Sequence, residues 1–143
     1  MSAGNAGTVL VVDDSPTMRG MIVRALVAGG YRVVEASDGI EGLSRLQGDA
    51  EIHAILTDIN MPRMDGLAFI RAVRQMERFS RTPVLALTTE YEPDVKAAGK
   101  AAGATGWIVK PFAADQLCNV IGMVIRRMAG QQRAHPMPEA QGA

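Results

Sequence analysis

The chain has 143 residues, of which 48% are hydrophobic and 21% are charged. A chain of this length is expected to form one compact domain and to bury a core without a disulfide or a structural metal. A single cysteine excludes a disulfide framework, and fifteen basic against fifteen acidic residues leave no net charge that would attract nucleic acid or a membrane surface. Because no apolar run approaches the ~20 residues of a membrane span and no leader-like segment begins the chain, we expect a cytoplasmic protein.

Short aliphatic runs alternate along the chain with longer segments of helical period. The runs predicted as strands cover residues 8–12, 31–35, 52–57, 83–87 and 105–109. The middle runs are almost wholly apolar, which is typical of strands covered on both faces. The alternation predicts an α/β fold with a parallel sheet over residues 8–129, between a flexible N-terminus, 1–7, and a disordered tail, 130–143.

Capping residues mark the helix boundaries. Ser15 followed by Pro16 predicts the start of a first helix, and Asp38 and Asp65 predict the caps of the second and third helices. The last helix is predicted over residues 113–128 and should be the longest. The inward positions predicted for these helices are Met18, Ile22, Ala25, Leu26, Ile40, Leu43, Leu46, Leu67, Ile70, Val73, Leu117, Val120, Ile121, Val124 and Met128.

The fourth helix, after Pro93, differs from the others. Its inward candidates are mostly alanines, and Gly99 inside it costs ~1 kcal/mol relative to alanine. Little apolar area therefore anchors this helix to the sheet. We predict that it is the least stable element and the one most free to move, which amide exchange can test.

Polar residues follow the apolar runs at the ends of four predicted strands. They are Asp13, Asp14, Asp58, Thr88 and Lys110. In an open parallel sheet the carboxyl ends of the strands share one edge, so these side chains should converge there. Two carboxylates ~4 Å apart repel by roughly 4 kcal/mol at an effective dielectric near 20, so the three acids need positive charge. Lys110 supplies part of it, and a divalent cation with oxygen ligands, most suitably Mg²⁺, would supply the rest.

This combination suits phosphoryl chemistry. Asp58 can attack phosphorus as a nucleophile while the cations neutralise the phosphoryl oxygens. The resulting acyl phosphate adds about two negative charges, to which the Thr88 hydroxyl and the Lys110 ammonium can reorient. Helix capping alone would account for Asp13 or Asp14, but it accounts for neither Asp58 nor Lys110.

Four motifs carry a specific resemblance to a known family. They are Val11-Val12-Asp13-Asp14-Ser15, Asp58-Ile59-Asn60-Met61-Pro62-Arg63-Met64-Asp65-Gly66, Leu87-Thr88-Thr89-Glu90 and Val109-Lys110-Pro111-Phe112. In this order and spacing, over about residues 7–129, the chain resembles the receiver domains of response regulators, most closely the stand-alone chemotaxis regulators. The resemblance implies a flavodoxin-like, doubly wound sheet of five parallel strands in the order 2-1-3-4-5 with five helices.

The resemblance also implies roles for single residues. Asp58 matches the phosphoacceptor, while Asp13, Asp14, Asp58 and the backbone carbonyl of Asn60 match ligands of Mg²⁺. Thr88 and Lys110 match the groups that contact the acyl phosphate, and Lys110-Pro111 matches a peptide bond that is usually cis. Asn60 and Glu90 match positions that tune the lifetime of the phosphorylated state. The implied donor is a phosphohistidine on a sensor histidine kinase, and the receiver is expected to be a monomer.

Trp107 departs from the family pattern. The family usually has Tyr or Phe at this position of the fifth strand, where the ring acts as a rotameric switch. An indole is larger and only donates a hydrogen bond, so its inward movement toward Thr88 is open to question. Trp107 is either a switch residue or an aromatic cover of the sheet edge, and its fluorescence can distinguish the two.

Three kinds of function stay open at this point. The first is a switch whose phosphorylated form binds a target, most plausibly the flagellar motor switch, and is reset with a phosphatase. The second is a receiver that drains phosphoryl groups from a kinase or regulates another intracellular partner. The third is a magnesium-dependent phosphatase or phosphotransferase, but such enzymes typically have a second acid where Asn60 stands. We therefore expect self-phosphorylation and autodephosphorylation only, without classical enzymatic turnover.

Other residues have weaker functional readings. Arg71, Arg74 and Arg78 form a basic stripe that is more typical of a solvated helix face than of an acidic-partner site. Met123 and Ile125 predict an exposed apolar patch on the last helix. The other candidates are interpreted as isolated or structural: Cys118, His53 and His135.

Overall fold

The structure is a computed structural model that describes residues 6–48, 51–61, 63–89 and 93–133. Five parallel strands form one sheet in the order β2-β1-β3-β4-β5: β1 (Thr8–Val12), β2 (Arg32–Ala36), β3 (Ala54–Asp58), β4 (Val84–Thr88) and β5 (Gly106–Val109). The helices in these ranges are α1 (Pro16–Ala28), α2 (Gly39–Leu46), α3 (Gly66–Gln75), α4 (Pro93–Ala102) and α5 (Ala114–Arg133), with a 3-10 turn at Glu77–Phe79. The α/β class, the five helices and the strand order are confirmed.

Two apolar layers bury the two faces of the sheet. On one face α1 and α5 pack onto alternate residues of β1, Val9 and Val11; on the other face α2 and α3 pack onto Leu10 and Val12. All four of these side chains are fully buried. Burying a side chain of this size contributes roughly 1.5–3 kcal/mol, which explains why the middle strands are almost wholly apolar.

The strand boundaries differ slightly from the prediction. β3 was predicted from residue 52, but it begins at Ala54 because the Nδ1 atom of His53 accepts the backbone N–H of Thr8 at 2.9 Å. The imidazole thereby replaces a carbonyl partner at this end of the sheet. At the other end, β3 and β4 each include one residue more than predicted, so Asp58 and Thr88 are the last residues of their strands.

The three predicted caps are confirmed. Ser15 Oγ accepts from the N–H of Met18, Asp38 Oδ1 from Glu41, and Asp65 Oδ1 from Ala68, at 3.2, 2.9 and 2.8 Å. A side-chain cap of this kind typically stabilises a helix by ~1 kcal/mol.

The inward faces of α2 and α3 were predicted only in part. Ile40 is 43% exposed, and the buried positions near it are Gly39 and Gly42. A Cβ atom at Gly42 would lie 2.8 Å from Cε1 of Phe69, which is itself fully buried and was not predicted. The space between α2 and α3 is therefore filled by the Phe69 side chain of α3, because the glycines of α2 leave space for the phenyl ring.

Both ends of the fold extend beyond the predicted domain. Helix α5 continues to Arg133, although the disordered tail was predicted from residue 130. At the other end, the backbone N–H of Ala6 donates to Gly30, and the carbonyl of Gly7 accepts from Arg32. The predicted flexible and disordered segments otherwise lie outside the described residues, at 1–5 and 134–143. Within the described ranges, no helix has both the length and the apolar character needed to cross a membrane.

Arg74 corrects the interpretation of a basic stripe. Its guanidinium is half-buried and donates to four backbone carbonyls, those of Phe79, Ser80, Thr82 and Gly103, at 3.1, 3.3, 2.6 and 2.9 Å. Burial lowers the pKa of Arg74. Arg71 and Arg78 are exposed, and Arg78 donates to the Gly48 carbonyl at 3.0 Å. Arg74 differs from them because it links the two loops that precede β4 and β5 at the amino-terminal edge of the sheet.

Candidate functional site

The predicted polar cluster lies at the carboxyl edge of the sheet. β1 ends just before Asp13, β3 ends at Asp58, and β5 ends just before Lys110. Carboxylate oxygens of Asp13, Asp14 and Asp58 all lie within 4.8 Å of one another. Residues that are far apart in sequence meet here because parallel strands bring their carboxyl ends to one edge.

Asp13 is the buried member of this cluster. Its Oδ1 atom accepts the backbone N–H of Ser15 at 2.8 Å, whereas Oδ2 accepts no hydrogen bond from the residues that the structure describes. The nearest cation to Oδ2 is Lys110, whose Nζ atom is 3.7 Å away. Burial raises the pKa of Asp13, against the opposing effects of the Ser15 N–H and Lys110. A buried carboxylate oxygen without a donor is suited to binding a cation.

Asp58 is held in one orientation. Its Oδ1 atom accepts the backbone N–H of Ile59 at 2.8 Å, and its Oδ2 atom lies 3.4 Å from Nζ of Lys110. The Thr57 hydroxyl donates to the Asp58 backbone carbonyl at 2.9 Å. One carboxylate oxygen is therefore fixed by the backbone, and the other faces the lysine.

Three acids and one lysine leave an excess of negative charge at this edge. The carboxylate oxygens, among them the Oδ2 atom of Asp13 that accepts no hydrogen bond from the described residues, fit Mg²⁺, a hard cation that binds carboxylates and retains waters. Asp14 is exposed and gives the cluster an open side, while Asp13 and Asp58 are buried. The donor set thus fits the predicted metal.

Thr88 and Lys110 are brought together as predicted. The backbone N–H of Lys110 donates to the Thr88 carbonyl at 2.8 Å, so the two residues are direct neighbours across β4 and the end of β5. Thr88 is buried, and the Lys110-Pro111 peptide bond is cis, as the resemblance implied. Asn60 is exposed in the loop after β3. Glu90, predicted to tune the phosphorylated lifetime, lies outside the described residues.

Trp107 packs against helix α4. A Cβ atom placed at Gly99 would collide with Cζ2 of the indole and lie 2.6 Å from Cη2. Gly99 is buried, and Trp107 is half-buried. Gly99, which the sequence marked only as a destabilising residue, therefore makes the space in which the six-membered ring of Trp107 lies.

We expect Gly99→Ala to displace the Trp107 ring from α4. The added methyl group cannot share the space with the indole, so the ring should become more exposed and its fluorescence emission should shift to longer wavelength. Trp107 is the only tryptophan, so the signal has a single source. Gly20→Ala is the matched control, because a Cβ atom at Gly20 meets only the flexible end of Arg24 at 3.5 Å. Unchanged emission in Gly99→Ala would contradict the packing.

Sequence reasoning missed Arg19 near the site. The Nη1 atom of Arg19 donates to the Asp13 carbonyl at 2.6 Å, and its Nε atom donates to Glu35 at 3.1 Å. Arg19 lies one helical turn after the N-cap Ser15, and this spacing is the sequence signal that could have placed its side chain near Asp13. It holds the backbone that presents Asp13.

Two predictions away from the site have mixed outcomes. Met123 is 46% exposed, whereas Ile125 packs against the core below α1 and α5, so the two do not form one patch. The Cys118 thiol donates to the Ala25 carbonyl at 3.2 Å, and burial raises its pKa, which agrees with a structural role.

The fold and the acidic site define a class of protein. Residues 9–122 match the family described as the response regulator receiver domain, and the chain belongs to this family. It is 38% identical over 118 residues to Chemotaxis protein CheY1 of Helicobacter pylori, covering 82% of this chain and 95% of that protein. It is also 38% identical to Sensor histidine kinase CheAY of the same bacterium, but there it spans only 15% of the longer protein.

Solved structures show the same similarity. Chemotaxis protein CheY4 of Vibrio cholerae has 43% sequence identity and a TM-score of 0.79, with 86% of this chain and 99% of that chain covered. The receiver domain of the sensor histidine kinase PA1611 of Pseudomonas aeruginosa, solved with a magnesium ion in its active-site cleft, has 30% identity and a TM-score of 0.78 over 86% and 98% of the chains.

Proposed function

We propose that this chain is a phosphorylation switch of chemotaxis that receives its phosphoryl group on Asp58 from a phosphohistidine of a sensor histidine kinase. The observation that carries the proposal is the arrangement at Asp58: one carboxylate oxygen faces Lys110 at 3.4 Å, beside a buried aspartate oxygen without a donor. The similarity to chemotaxis proteins over nearly their whole length supports the pathway.

Mg²⁺ would be held by Asp13, Asp14, Asp58 and the Asn60 carbonyl, and when bound it would neutralise phosphoryl oxygens. The receiver domain of PA1611 was solved with magnesium in its cleft, which supports this assignment. Lys110 adds a second positive charge on the Asp58 side of the site.

The transfer follows from the orientation of Asp58. The Oδ2 atom attacks phosphorus while the bond between phosphorus and the donor imidazole nitrogen breaks, and the imidazole keeps the electron pair. The product is an acyl phosphate on Asp58. Attack of water on phosphorus later releases inorganic phosphate and restores the carboxylate, so the reaction resets the protein and requires no other substrate. In this proposal the chain is not a classical enzyme.

The charge change at Asp58 is the signal. Thr88 and Lys110 adjoin across β4 and β5, so a movement toward the phosphoryl group would be transmitted to β5 and to Trp107. Trp107 in turn contacts α4. The proposed output is binding of the flagellar motor switch by the phosphorylated form, with a phosphatase ending the signal.

Intact mass spectrometry tests the chemistry. We expect one phosphoryl adduct on the wild type after incubation with Mg²⁺ and a small-molecule phosphodonor, and none on Asp58→Asn. Asp65→Asn is the matched control, because Asn is also a good N-cap and Asp65 caps α3 outside the cluster. An adduct on Asp58→Asn in the same yield, or none on the wild type, would contradict the proposal.

Pulldown with the phosphorylated and unphosphorylated chain tests the output. Phosphorylation-dependent capture of a flagellar motor switch protein is the expected result. A chain that accepts and loses phosphoryl groups but captures no target would instead be a phosphate sink.

A further inference from the structure

The loop after the phosphoacceptor contains a residue in an unusual backbone conformation. Arg63 has φ 63, in the left-handed region that side-chain-bearing residues seldom adopt. Glycine and asparagine enter this region most easily, and arginine has no such local preference. A contact elsewhere in the fold must therefore favour this conformation.

That contact is an ion pair with α2. The Nε atom of Arg63 lies 2.7 Å from Oδ2 of Asp38, whose side chain is only 7% exposed, while Oδ1 of the same carboxylate caps the helix by accepting from Glu41. The hydrogen bond from Arg63 lowers the pKa of Asp38, followed by the one from Glu41. Because the Asp38 carboxylate is buried, loss of Arg63 would leave a buried charge without its cation. This loss should cost more than the loss of an exposed surface ion pair.

The same junction is packed by the neighbour of Arg63. A Cβ atom at Gly39, the first residue of α2, would come within 2.9 Å of Cγ and Sδ of Met64. At the other end of the loop, the N–H of Gly66 donates to the Ile59 carbonyl at 2.7 Å. The loop after Asp58 is thus fixed where it rejoins α3, and Arg63 and Met64 fix it against α2.

Asn60 lies between Asp58 and this anchored part of the loop. We propose that Arg63 is a positioning residue for the divalent cation: by pairing with Asp38 it holds the loop against α2 and keeps the Asn60 carbonyl in place as a ligand. The inference rests on the proposed function, since it takes Asn60 as a ligand of the bound Mg²⁺. It adds to that function a residue that touches neither the metal nor the phosphoryl group.

Calorimetric titration with MgCl₂ tests the proposal on the full-length chain. Arg63→Ala is expected to weaken Mg²⁺ binding roughly tenfold, the size typical when a group that orients a ligand is removed. Asp38→Asn should give the same loss, because Asn retains the cap of α2 but not the charge that attracts Arg63. The double variant should bind no more weakly than either single variant, since both remove one interaction.

Arg45→Ala is the matched control. It removes an arginine of α2 that pairs with Glu41 of the same helix and donates to the Glu35 carbonyl, and Mg²⁺ binding should be unchanged. Circular dichroism establishes that each titrated variant is folded. If the role of Arg63 were purely structural, its loss would lower the stability but leave the Mg²⁺ affinity of the folded protein unchanged. If Arg63→Ala and Asp38→Asn both bind Mg²⁺ with wild-type affinity, the positioning role is overturned but the proposed function is not. Absence of Mg²⁺ binding by the wild type would overturn the proposed function together with it.

Discussion

Gly66→Ala should lower the free energy of unfolding by about 3 kcal/mol or more, the largest loss we expect from the addition of one methyl group. Gly66 is buried at the start of α3, directly against the strand end that carries Asp58. A Cβ atom there would collide with the Asp58 carbonyl oxygen and lie 2.7 Å from Cα of Ile59. Both obstacles are backbone atoms, so no side-chain rotation can relieve the clash.

Urea denaturation measures this effect, and Gly20→Ala gives the opposite sign as a control. Gly20 lies in α1, and a Cβ atom there meets only Nη1 of Arg24 at 3.5 Å. Alanine should therefore stabilise the protein by about 0.5–1 kcal/mol through its higher helix propensity. A Gly66→Ala protein as stable as the wild type would show that α3 does not approach the Asp58 backbone as closely as described.

Asp13→Asn should stabilise the metal-free protein at neutral pH by about 1–2 kcal/mol, because it removes a buried charge from a cluster of acids while Asn can still accept from Ser15. Burial raises the pKa of Asp13 above 3.8 in the folded state. Between the pKa of Asp13 in the unfolded chain, 3.8, and its higher pKa in the folded protein, the folded protein binds more protons than the unfolded chain. Unfolding therefore becomes easier as the pH rises through this range. The stabilisation by Asn should thus be absent below pH 3.8, develop as the pH rises toward the folded pKa, and be complete above it.

The same variant should lose the stabilising effect of Mg²⁺. At a concentration 100-fold above its dissociation constant, a ligand that binds only the folded state adds ~2.7 kcal/mol to the free energy of unfolding. We expect this gain in the wild type and in Asp65→Asn, and little of it in Asp13→Asn, from urea denaturation with and without MgCl₂. An equal gain in Asp13→Asn would show that the buried Oδ2 atom is not a metal ligand.

The acidic site was predictable because it depends on strand direction alone. Asp13, Asp58 and Lys110 each follow an apolar run, and any parallel sheet brings such positions to one edge. The order of the strands was not obtained in this way; it came from the resemblance of the motifs. Sequence periodicity finds elements and their directions, and the resemblance places those elements side by side.

Contacts between elements were not predictable from these patterns. Arg63 and Asp38 are 25 residues apart and meet only after α2 and the loop have taken their places. Ile40 fits a helical apolar stripe, yet Gly39 and Gly42 are buried because side chains of α3 and of the loop before it fill the space above them. Arg74 has the spacing of a solvated arginine, and only the folded chain brings carbonyls of two loops within its reach.

The bonds of Arg74 restrict how α4 can move. The carboxyl-terminal end of α4 is held to α3 by the hydrogen bond from Arg74 to the Gly103 carbonyl. Gly103 has φ 112 and lies close to Cγ of Arg74, so this position has no space for a side chain. The other end of α4 follows β4, whose last residue lies at the carboxyl edge of the sheet. We therefore expect any movement of α4 to be a rotation about Gly103. Its amino-terminal turns would then have the largest displacement, and a partner bound there would be affected most.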